Sequence, residues 1–381
     1  MRILLIGEYS RLHNSLKEGL TSLGHEVLLV STGDGFKNYP SDYLIKPKWS
    51  TSFLGNIPRQ LISRVFKFDY ALLEIGIRFW LLTSKLKNFD YVQLINEAPI
   101  KTTPRFELFL LKKIIKNNPK VFLLSSGVDY WNIDYSIKNK DTFNSILIPY
   151  FKDNSLNKEY QFVLKYQNKI HKKIHDYLIE NCRGVLASDL DYHLPYKNHP
   201  NYLGLIPNPI NTSIFKEYHL KIEDKIIIFL GVNQWNKIQK GIPFFKEALA
   251  IIESKYADKI EVIIADSLPY NIYINQYNKA HILLDQCYGY DQGYNALEAM
   301  AKGKVVFTGA KKEFLEYYNL TEDEVCINTT PDVAYLVSKL SFLIENPEEI
   351  LRISKNARAF IEREHDYIMV AHKYLEVWEG K

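Results

Sequence analysis

Short apolar runs alternate with longer amphipathic stretches along this chain, and each run predicts a buried strand. The first run, RILLIG, occupies residues 2–7. It is followed by the amphipathic stretch SLKEGLTSLG, which ends at Gly24, and by a second apolar run, HEVLLVS. Short apolar runs separated by helical patterns are typical of parallel sheets that are covered by helices. The pattern therefore predicts an α/β protein.

The same alternation continues to the end of the chain. FDYVQLINEAP and VFLLSSGVDYW predict two more strands, which end near Glu97 and Asp129, and a long helix is predicted over about 160–181. In the second half, KIIIFLGVNQWNKIQKGIPFFKEAL predicts a strand, a loop and a helix, and residues 333–363 predict two helices. Because ligands bind at the carboxyl ends of parallel strands, Glu97 and Asp129 are the carboxylates of the first half that we expect near a site.

Residues 280–309, AHILLDQCYGYDQGYNALEAMAKGKVVFTG, contain the strongest candidate site. An apolar run that ends at Asp285 predicts a strand, and a glycine-containing loop then leads to a helix that begins near Gly293. The N-terminus of such a helix offers N–H groups and a positive dipole end to a phosphate or diphosphate. Glu298 lies further along the helix, within reach of a sugar or ribose hydroxyl. The alternative is an ordinary strand–helix–strand unit with a solvated glutamate.

Length and composition are those of a globular protein with two cores. The chain has 381 residues, of which 46% are hydrophobic and 24% charged. Its three cysteines lack metal-ligand spacing, which favours a reduced, cytoplasmic setting. No apolar run approaches the roughly eighteen residues of a spanning helix, and the N-terminus is too short in apolar length for a signal peptide. We therefore expect a cytoplasmic protein that does not cross a membrane.

The net charge of +4 is unevenly distributed. Residues 1–200 carry 28 Lys+Arg against 19 Asp+Glu, and residues 201–381 carry 20 against 25. The first half is therefore the part that we expect to meet an anionic acceptor or surface. Nucleic acid is not an expected partner, because the chain lacks zinc spacing, an aromatic RNA-binding signature and a strongly basic pI. A nicotinamide or flavin site is not expected either, because the loop after the first strand has one glycine, Gly7.

Residues 51–87 interleave large apolar side chains with cations. The cations are Arg59, Arg64, Lys67, Arg78, Lys85 and Lys87. This combination suits a long helix that packs on a sheet with its cations reaching to water, which is the interpretation we favour. It also suits an amphipathic helix that lies in a membrane interface, and that alternative stays open.

The segment GYNALEAMAKGKVV resembles the signature of retaining nucleotide-sugar glycosyltransferases of family 4, written loosely as E-x-F-G-x-x-x-L-E-A-M-A-x-G-x-P-V-V. The matching residues are Gly293, Leu297, Glu298, Ala299, Met300, Ala301, Gly303, Val305 and Val306. Tyr290 stands where the family has its first glutamate, which lies near the transferred sugar, and Gln292 replaces the phenylalanine. The family's second glutamate binds the donor ribose, and the resemblance gives that role to Glu298.

The family's diphosphate loop, G-R-x-x-x-x-K-G, is matched at its ends by Gly231 and by Lys240-Gly241. Its arginine is absent, and Asn233, Gln234 and Lys237 are the residues available for that task. A lysine at this place matters because a leaving nucleoside diphosphate develops negative charge.

Two segments nearer the N-terminus also resemble the family. IPNPIN, residues 206–211, is similar to its interdomain linker, which Pro209 would stiffen. Residues 126–129, SGVD, stand where the family often has H-G-x-D. The histidine is missing, so only Asp129 is carried over.

The resemblance implies a GT-B fold, in which two Rossmann-like domains face an interdomain cleft. The expected domains are residues 1–205, which bind the acceptor, and residues 206–364, which bind the donor. A C-terminal helix at about 365–381 is expected to pack back on the first domain. The implied hexosyltransferase moves a sugar from a nucleoside diphosphate to an acceptor hydroxyl, with retention, and needs no obligatory metal or cofactor.

The candidate site residues follow from these matches and from the loops. The catalytic candidates are Lys240, Glu298 and Asp129. The donor candidates are Gly231, Asn233, Lys237, Lys240, Tyr290, Asp291, Gly293, Tyr294, Asn295 and Glu298. The acceptor candidates are Ser10, His13, Glu97 and Asp129. The loop at residues 266–270 is expected to hold the nucleotide base, and no metal ligands are expected.

The expected partners are a nucleotide-sugar donor and a glycan or lipid-linked glycan acceptor, with contact to the cytoplasmic face of a membrane as an added alternative. Two other functions stay open. A nucleotide-sugar epimerase of the same fold would keep the donor site and lack an acceptor site. A non-catalytic relative that binds nucleotide-sugar or membrane would account for the missing glutamate, histidine and arginine.

Overall fold

The structure is a computed structural model, and it describes residues 1–35, 38–66, 68–215, 220–266, 268 and 270–381. It confirms the predicted α/β class, because strands and helices alternate and form two parallel sheets. The strands are β1 Arg2–Ile6, β2 Glu26–Ser31, β3 Tyr43–Leu44, β4 Tyr91–Leu94, β5 Val121–Ser125, β6 Val185–Ala187, β7 Tyr202–Leu205, β8 Ile226–Val232, β9 Ile260–Asp266, β10 Ile282–Leu284, β11 Val305–Thr308 and β12 Ile327–Asn328.

The helices lie mostly between consecutive strands. They are α1 Leu12–Ser22, α2 Phe53–Phe66, α3 Ala71–Leu82, α4 Pro104–Asn117, α5 Tyr130–Lys138, α6 Ile148–Lys152, α7 Asn157–Leu164, α8 Lys169–Asn181, α9 Leu190–Tyr196, α10 Ile242–Tyr256, α11 Tyr270–Lys279, α12 Tyr294–Ala301, α13 Lys312–Tyr318, α14 Val333–Glu345, α15 Pro347–Glu364 and α16 Tyr367–Glu379. Among the described residues, no helix is both long and apolar enough to span a membrane.

The first sheet has the strand order β3-β2-β1-β4-β5-β6-β7, and all of its pairs are parallel. Ile3 of β1 lies opposite Val27 on one side and Tyr91 on the other. The strand order reverses between β1 and β4, so the loops that follow these two strands diverge and leave a crevice at the carboxyl edge. The apolar runs of the sequence form a core on this sheet, with Leu4, Val92 and Leu123 fully buried.

The second sheet has the order β12-β11-β10-β8-β9 and is also parallel throughout. Its order reverses between β8 and β10, where Ile282 lies opposite Ile228. A second crevice therefore lies at the carboxyl ends of β8 and β10. Both strands are continuous apolar runs because helices cover the sheet on its faces, and Ile228 and Leu230 are fully buried.

The chain divides into two compact units. The first contains Met1–Tyr135, Val163–Pro209 and Tyr367–Lys381, and the second contains Ser136–Phe162 and Ile210–Asp366. Residues 136–162, which the sequence analysis placed in the first domain, thus belong to the second unit. The first unit includes α16, which packs on α1 so closely that a Cβ at Gly19 would lie 2.2 Å from the Tyr367 carbonyl oxygen.

Two helix predictions need correction. The single helix predicted over 160–181 is broken, because Asn168 accepts hydrogen bonds from two backbone N–H groups and starts α8 as a new helix. Residues 51–87 form two helices, α2 and α3. The favoured interpretation, a helix packed on a sheet, holds for α3, which buries Ile75 and Phe79, and fails for α2, which has no buried residue. Lys67 lies outside the described residues.

Candidate functional site

The crevice of the second sheet is bridged by an ion pair. Lys240, in the loop after β8, donates from Nζ to Asp285 Oδ1 at 2.8 Å, and Asp285 directly follows β10. Asp285 is buried, whereas the Lys240 side chain is 29% exposed. An ammonium group has three N–H donors, so this bond holds Lys240 in place and leaves further donors for a ligand. The arrangement presents a positioned cation at the carboxyl edge of the sheet.

The position of Lys240 follows from the backbone around it. Gly241 has φ +72°, a left-handed conformation that favours glycine, and α10 begins at the next residue. The Cys287 N–H donates to the Lys240 carbonyl at 2.9 Å, and a Cβ at Gly241 would lie 2.8 Å from Cys287 Cβ. The glycine therefore allows the β8 loop to lie directly against the β10 loop. The backbone conformation and the close contact with Cys287 thus explain why a glycine follows Lys240 in this chain.

Asp285 is a site residue that the sequence analysis did not select. Besides Lys240, its Oδ1 is 3.4 Å from Asn295 Nδ2, and its Oδ2 accepts from Thr308 Oγ1 at 3.4 Å. It thereby connects the β8 loop, β11 and the start of α12. An acidic residue directly after a fully apolar strand was the available signal, since this is where a parallel sheet binds ligands.

Helix α12 begins at the crevice. Gly293 is its N-cap residue, and within the described part of the chain a Cβ there would meet nothing closer than Gln286 Oε1 at 4.0 Å. Tyr294 is buried, and Asn295 and Glu298 are half-buried. The helix ends at Ala301, and Gly303 follows it with φ +68°. The structure therefore brings Lys240 and the N-terminus of α12 to one place through Asp285.

Tyr290, in the loop before α12, contacts another segment of the second unit, residues 136–162. Its hydroxyl accepts from the Asn144 N–H at 3.0 Å, its ring lies 5.2 Å from that of Phe143, and Asn144 Nδ2 donates to the Gly289 carbonyl at 3.0 Å. Segment 136–162 is thus fastened to the loop at residues 289–290. That Tyr290 lies near the transferred sugar stays a prediction; its hydroxyl oxygen accepts from the Asn144 N–H in the second unit.

The remaining donor candidates of the second unit have varied surroundings. Gly231 lies in β8, where a Cβ would be 2.9 Å from the Tyr273 hydroxyl, so packing accounts for this glycine. Asn233 accepts from the Trp235 N–H at 3.0 Å, and Lys237 Nζ donates to Gln234 Oε1 at 3.0 Å. Asp291 is buried. Of the base loop at 266–270, residues 267 and 269 lie outside the described part.

The first unit has its own group of buried polar residues at the crevice between β1 and β4. Glu8 Oε2 accepts from both nitrogens of Asn14, and burial raises the pKa of Glu8 to about 7. His13 is fully buried, and its Nδ1 donates to the Gly7 carbonyl at 2.8 Å. Burial lowers the pKa of His13 to about 3, so the ring is neutral. The Ser10 N–H donates to Asp34 Oδ2 at 2.9 Å.

Glu97 and Asp129 form one buried cluster with His175. The His175 Nδ1 donates to Glu97 Oε1 at 2.5 Å, and Glu97 Oε2 accepts from the Tyr130 N–H. Asp129 accepts from Ser125 Oγ and from the Asn132 N–H in the first turn of α5. Burial, followed by the charge of Glu97, raises the pKa of Asp129 to about 7. Burial disfavours the charged form of His175, but the bond to Glu97 outweighs it and raises the histidine pKa.

The acceptor candidates therefore differ in what they offer. Glu97 and Asp129 are both 1% exposed, and each has both carboxylate oxygens engaged in the contacts just described. They shape the loops after β4 and β5. Ser10 is half-buried and belongs to the loop after β1, in which Ser10 and Arg11 have φ of +51° and +79°. Two successive non-glycine residues in this region are uncommon, and such strained backbone clusters at functional sites.

Comparisons with known proteins agree with this geometry. Residues 235–376 match a protein family described as glycosyl transferase-like, a range that includes Lys240, Asp285 and Glu298. No curated protein sequence is significantly similar to the chain. Residues 235–376 are therefore similar to a glycosyltransferase-like domain.

Solved structures match over the whole chain. Sucrose-phosphate synthase from Thermosynechococcus elongatus is 14% identical with a TM-score of 0.61, and the match covers 100% of this chain and 98% of that one. HepE from Anabaena, solved in complex with UDP-glucose, is 12% identical with a TM-score of 0.59 and 100% coverage of both chains. A putative UDP-N-acetylglucosamine 2-epimerase from Listeria monocytogenes is 11% identical with a TM-score of 0.54, covering 98% and 94%. The fold is that of the GT-B glycosyltransferases.

Proposed function

We propose that this protein is a glycosyltransferase that moves a sugar from a nucleoside-diphosphate sugar to an acceptor hydroxyl. The observation that carries the proposal is the position of Lys240, which Asp285 holds beside the N-terminus of α12 at the strand-order reversal of the second sheet. Cations and helix N-termini bind phosphates, and their combination suits a diphosphate leaving group. The glycosyltransferase-like family match and the UDP-glucose bound by HepE support the same assignment.

The proposed roles follow the positions of the residues. Lys240 and the backbone at residues 293–295 bind the diphosphate, with Asn233 and Lys237 in the adjoining loop, and Glu298 binds the ribose. Asp291 lies on the sugar side, where Tyr290 supports the loop. The polar groups after β1, β4 and β5 shape the acceptor side of the first unit; they include Ser10, His13, Glu97 and Asp129. We also propose that the reaction retains the anomeric configuration and needs no obligatory metal. The proposed acceptor is a glycan or lipid-linked glycan at the cytoplasmic face of a membrane.

The fold match to an epimerase favours one competing function, the epimerisation of a nucleotide-sugar. The two functions differ in their products. Purified protein is incubated with UDP-, GDP- and ADP-sugars, with and without a panel of glycan and lipid-linked acceptors, and the products are followed by NMR. We expect free nucleotide and a new glycosidic bond only when an acceptor is present, with the anomeric configuration of the donor. An epimerised nucleotide-sugar without acceptor would overturn the transferase assignment.

The same experiment tests the roles of single residues. Lys240→Ala and Glu298→Ala should each reduce transfer at least tenfold, because the leaving diphosphate and the ribose lose their contacts. Lys246→Ala, a change at an exposed lysine on α10, is the matched control and should transfer at the normal rate. Equal rates in all three variants would contradict the assignment of the donor site.

A further inference from the structure

Helix α2 has its apolar face directed away from the protein. Phe53, Leu54, Ile57, Leu61 and Val65 are between 59% and 86% exposed. At 100° per residue these positions cover one continuous side of the helix. Four positions are less exposed: Gly55, Arg59 and Ile62 lie on the opposite side, and Asn56 lies beside them. A helix that packs on a globular core has the reverse arrangement.

Polar contacts hold α2 in this orientation. Arg59 donates from both Nε and Nη2 to the Asp69 carboxylate, at 2.8 and 2.6 Å. The Tyr70 hydroxyl donates to the Gly55 carbonyl at 2.5 Å. A Cβ at Gly55 would lie 1.9 Å from the Trp49 carbonyl oxygen, so the helix and the chain before it are in close contact. The orientation of the apolar face is therefore fixed by specific contacts on the other side.

Helix α3 carries a second exposed apolar stripe. Leu73, Ile77, Trp80 and Leu81 recur at helical spacing and are between 38% and 62% exposed, while the opposite side of α3 is in the core. We call these residues, together with the five on α2, the α2–α3 apolar surface. Large apolar side chains that are exposed on two consecutive helices are candidates for protein or membrane binding.

Positive charge accompanies this surface. Residues 46–87 contain eight Lys and Arg against two acidic residues, Asp69 and Glu74. Both carboxylates are already paired, Asp69 with Arg59 and Glu74 with Arg78 at 2.7 Å. Cations also adjoin the aromatic rings: Lys113 Nζ is 5.5 Å from the Trp80 ring centroid. Arg64 is exposed on α2 itself. The stretch of sequence that carries the apolar residues thus has a net positive charge.

We propose that the α2–α3 apolar surface binds a phospholipid bilayer that contains anionic lipids, with α2 lying in the interface. Apolar area that enters the acyl boundary, combined with cations at the headgroups, is the established basis of interfacial binding. Charge decides against a second copy of the chain, because a self-complementary interface would bring two positive surfaces together. This inference rests on the membrane contact in the proposed function and names the surface and the lipid class; the binding itself requires neither donor nor acceptor.

The test is flotation of the full chain with phosphatidylcholine vesicles, with or without about one third phosphatidylglycerol. We expect the protein to float with the anionic vesicles and high salt to weaken this binding. In a variant with Phe53→Ser, Leu61→Ser and Val65→Ser, the vesicle-bound fraction should fall at least tenfold. Its thermal unfolding temperature should stay the same, because these side chains contact little in the protein. The matched control is the triple variant Ile251→Ser, Phe342→Ser and Leu351→Ser, whose exposed apolar residues lie on the second unit; it should float normally.

Three results would overturn the proposal. The first is that the unchanged protein fails to float with anionic vesicles. The second is that the α2 variant floats as well as the unchanged protein. The third is that analytical ultracentrifugation shows a dimer that only the α2 variant abolishes. Nucleotide binding measured on the same samples separates this outcome from a failure of the proposed function. A protein that floats without binding any nucleotide would support the surface and contradict the transferase.

Discussion

Lys240 and Asp285 form the contact on which the candidate site depends. The carboxylate of Asp285 is buried, and Lys240 supplies the cation within 2.8 Å of it. A buried carboxylate that loses its cation keeps its desolvation cost without compensation. We therefore expect loss of Lys240 alone to destabilise the second unit, and the pair also holds the ammonium group in position.

A double-mutant cycle tests this coupling. Lys240→Ala should lower the free energy of unfolding by about 1–3 kcal/mol, a value reduced from that of a fully buried pair because Lys240 is partly exposed. Adding Asp285→Asn to the same chain should restore most of this loss, because the uncompensated charge is removed. Urea unfolding of the two single variants and the double variant gives the coupling. Additive losses would show that the two side chains do not interact in solution.

Glu8 provides a second prediction at this scale, on pH. Its ordinary pKa of 4.5 is raised to about 7 in the folded chain by burial. Between these pH values the folded state binds more protons than the unfolded state, so stability falls as the pH rises from about 4.5 to 7. Glu8→Gln resembles the protonated acid and should be more stable than the unchanged protein at pH 8, by up to about 3 kcal/mol, and equally stable near pH 4.

Thermal unfolding of both proteins across this pH range is the measurement. Glu253→Gln, a change at an exposed glutamate of α10, is the control and should leave the pH profile as it is. Parallel profiles for Glu8→Gln and the unchanged protein would contradict a raised pKa at Glu8.

At the scale of elements, the loops at the carboxyl ends of the strands determine where the site residues lie. The β8 loop meets the β10 loop at Gly241 and Cys287, and segment 136–162 meets the same region at Tyr290. These contacts join parts of the chain that are 46 or more residues apart in sequence. The geometry of the site is thus a property of several elements together.

Two glycines with positive φ allow a matched test of the first contact. Gly241 has φ +72° and lies against Cys287, whereas Gly24 has φ +83° and its surroundings in the described part of the chain leave 4 Å of open space for a Cβ. Gly24→Ala should cost only the backbone strain of about 1 kcal/mol, and Gly241→Ala should cost more because the loop must also move. Thermal unfolding compares the two variants. Equal losses would mean that the contact with Cys287 does not constrain the loop.

The sequence was informative about elements whose pattern reports local burial. The strand–loop–helix units from β8 to α10 and from β10 to α12 lie where the apolar runs and glycines predicted them. The predicted helix over 160–181 was wrong because periodicity did not reveal the cap at Asn168. The orientation of α2 was missed because an amphipathic pattern does not tell which partner covers its apolar face. Asp285 was missed although it directly follows a buried strand, because its contacts with Lys240 and Asn295 depend on strand order, which the local pattern does not determine.

At the scale of the whole molecule, each of the two units has a parallel sheet and a strand-order reversal with polar residues at its carboxyl edge. The basic half of the sequence contains most of the first unit, together with the α2–α3 apolar surface. The less basic half contains the region that is similar to the glycosyltransferase-like family and the crevice with Lys240. We therefore propose that the second unit binds the donor and that the first unit makes the acceptor and membrane contacts.

The central claim is that the crevice between β8 and β10 binds a nucleoside diphosphate. Isothermal titration calorimetry with UDP, GDP, ADP and their sugar conjugates tests it most directly. The proteins compared are the unchanged protein, a variant that combines Lys240→Ala and Asp285→Asn, the variant Glu298→Ala and the control Lys246→Ala. The combined variant matters because its stability should be nearly restored, so a loss of binding would not reflect unfolding. We expect one nucleotide to bind the unchanged protein and the control equally, and the other two variants at least tenfold more weakly. If no nucleotide binds, or if all variants bind alike, the claim is wrong.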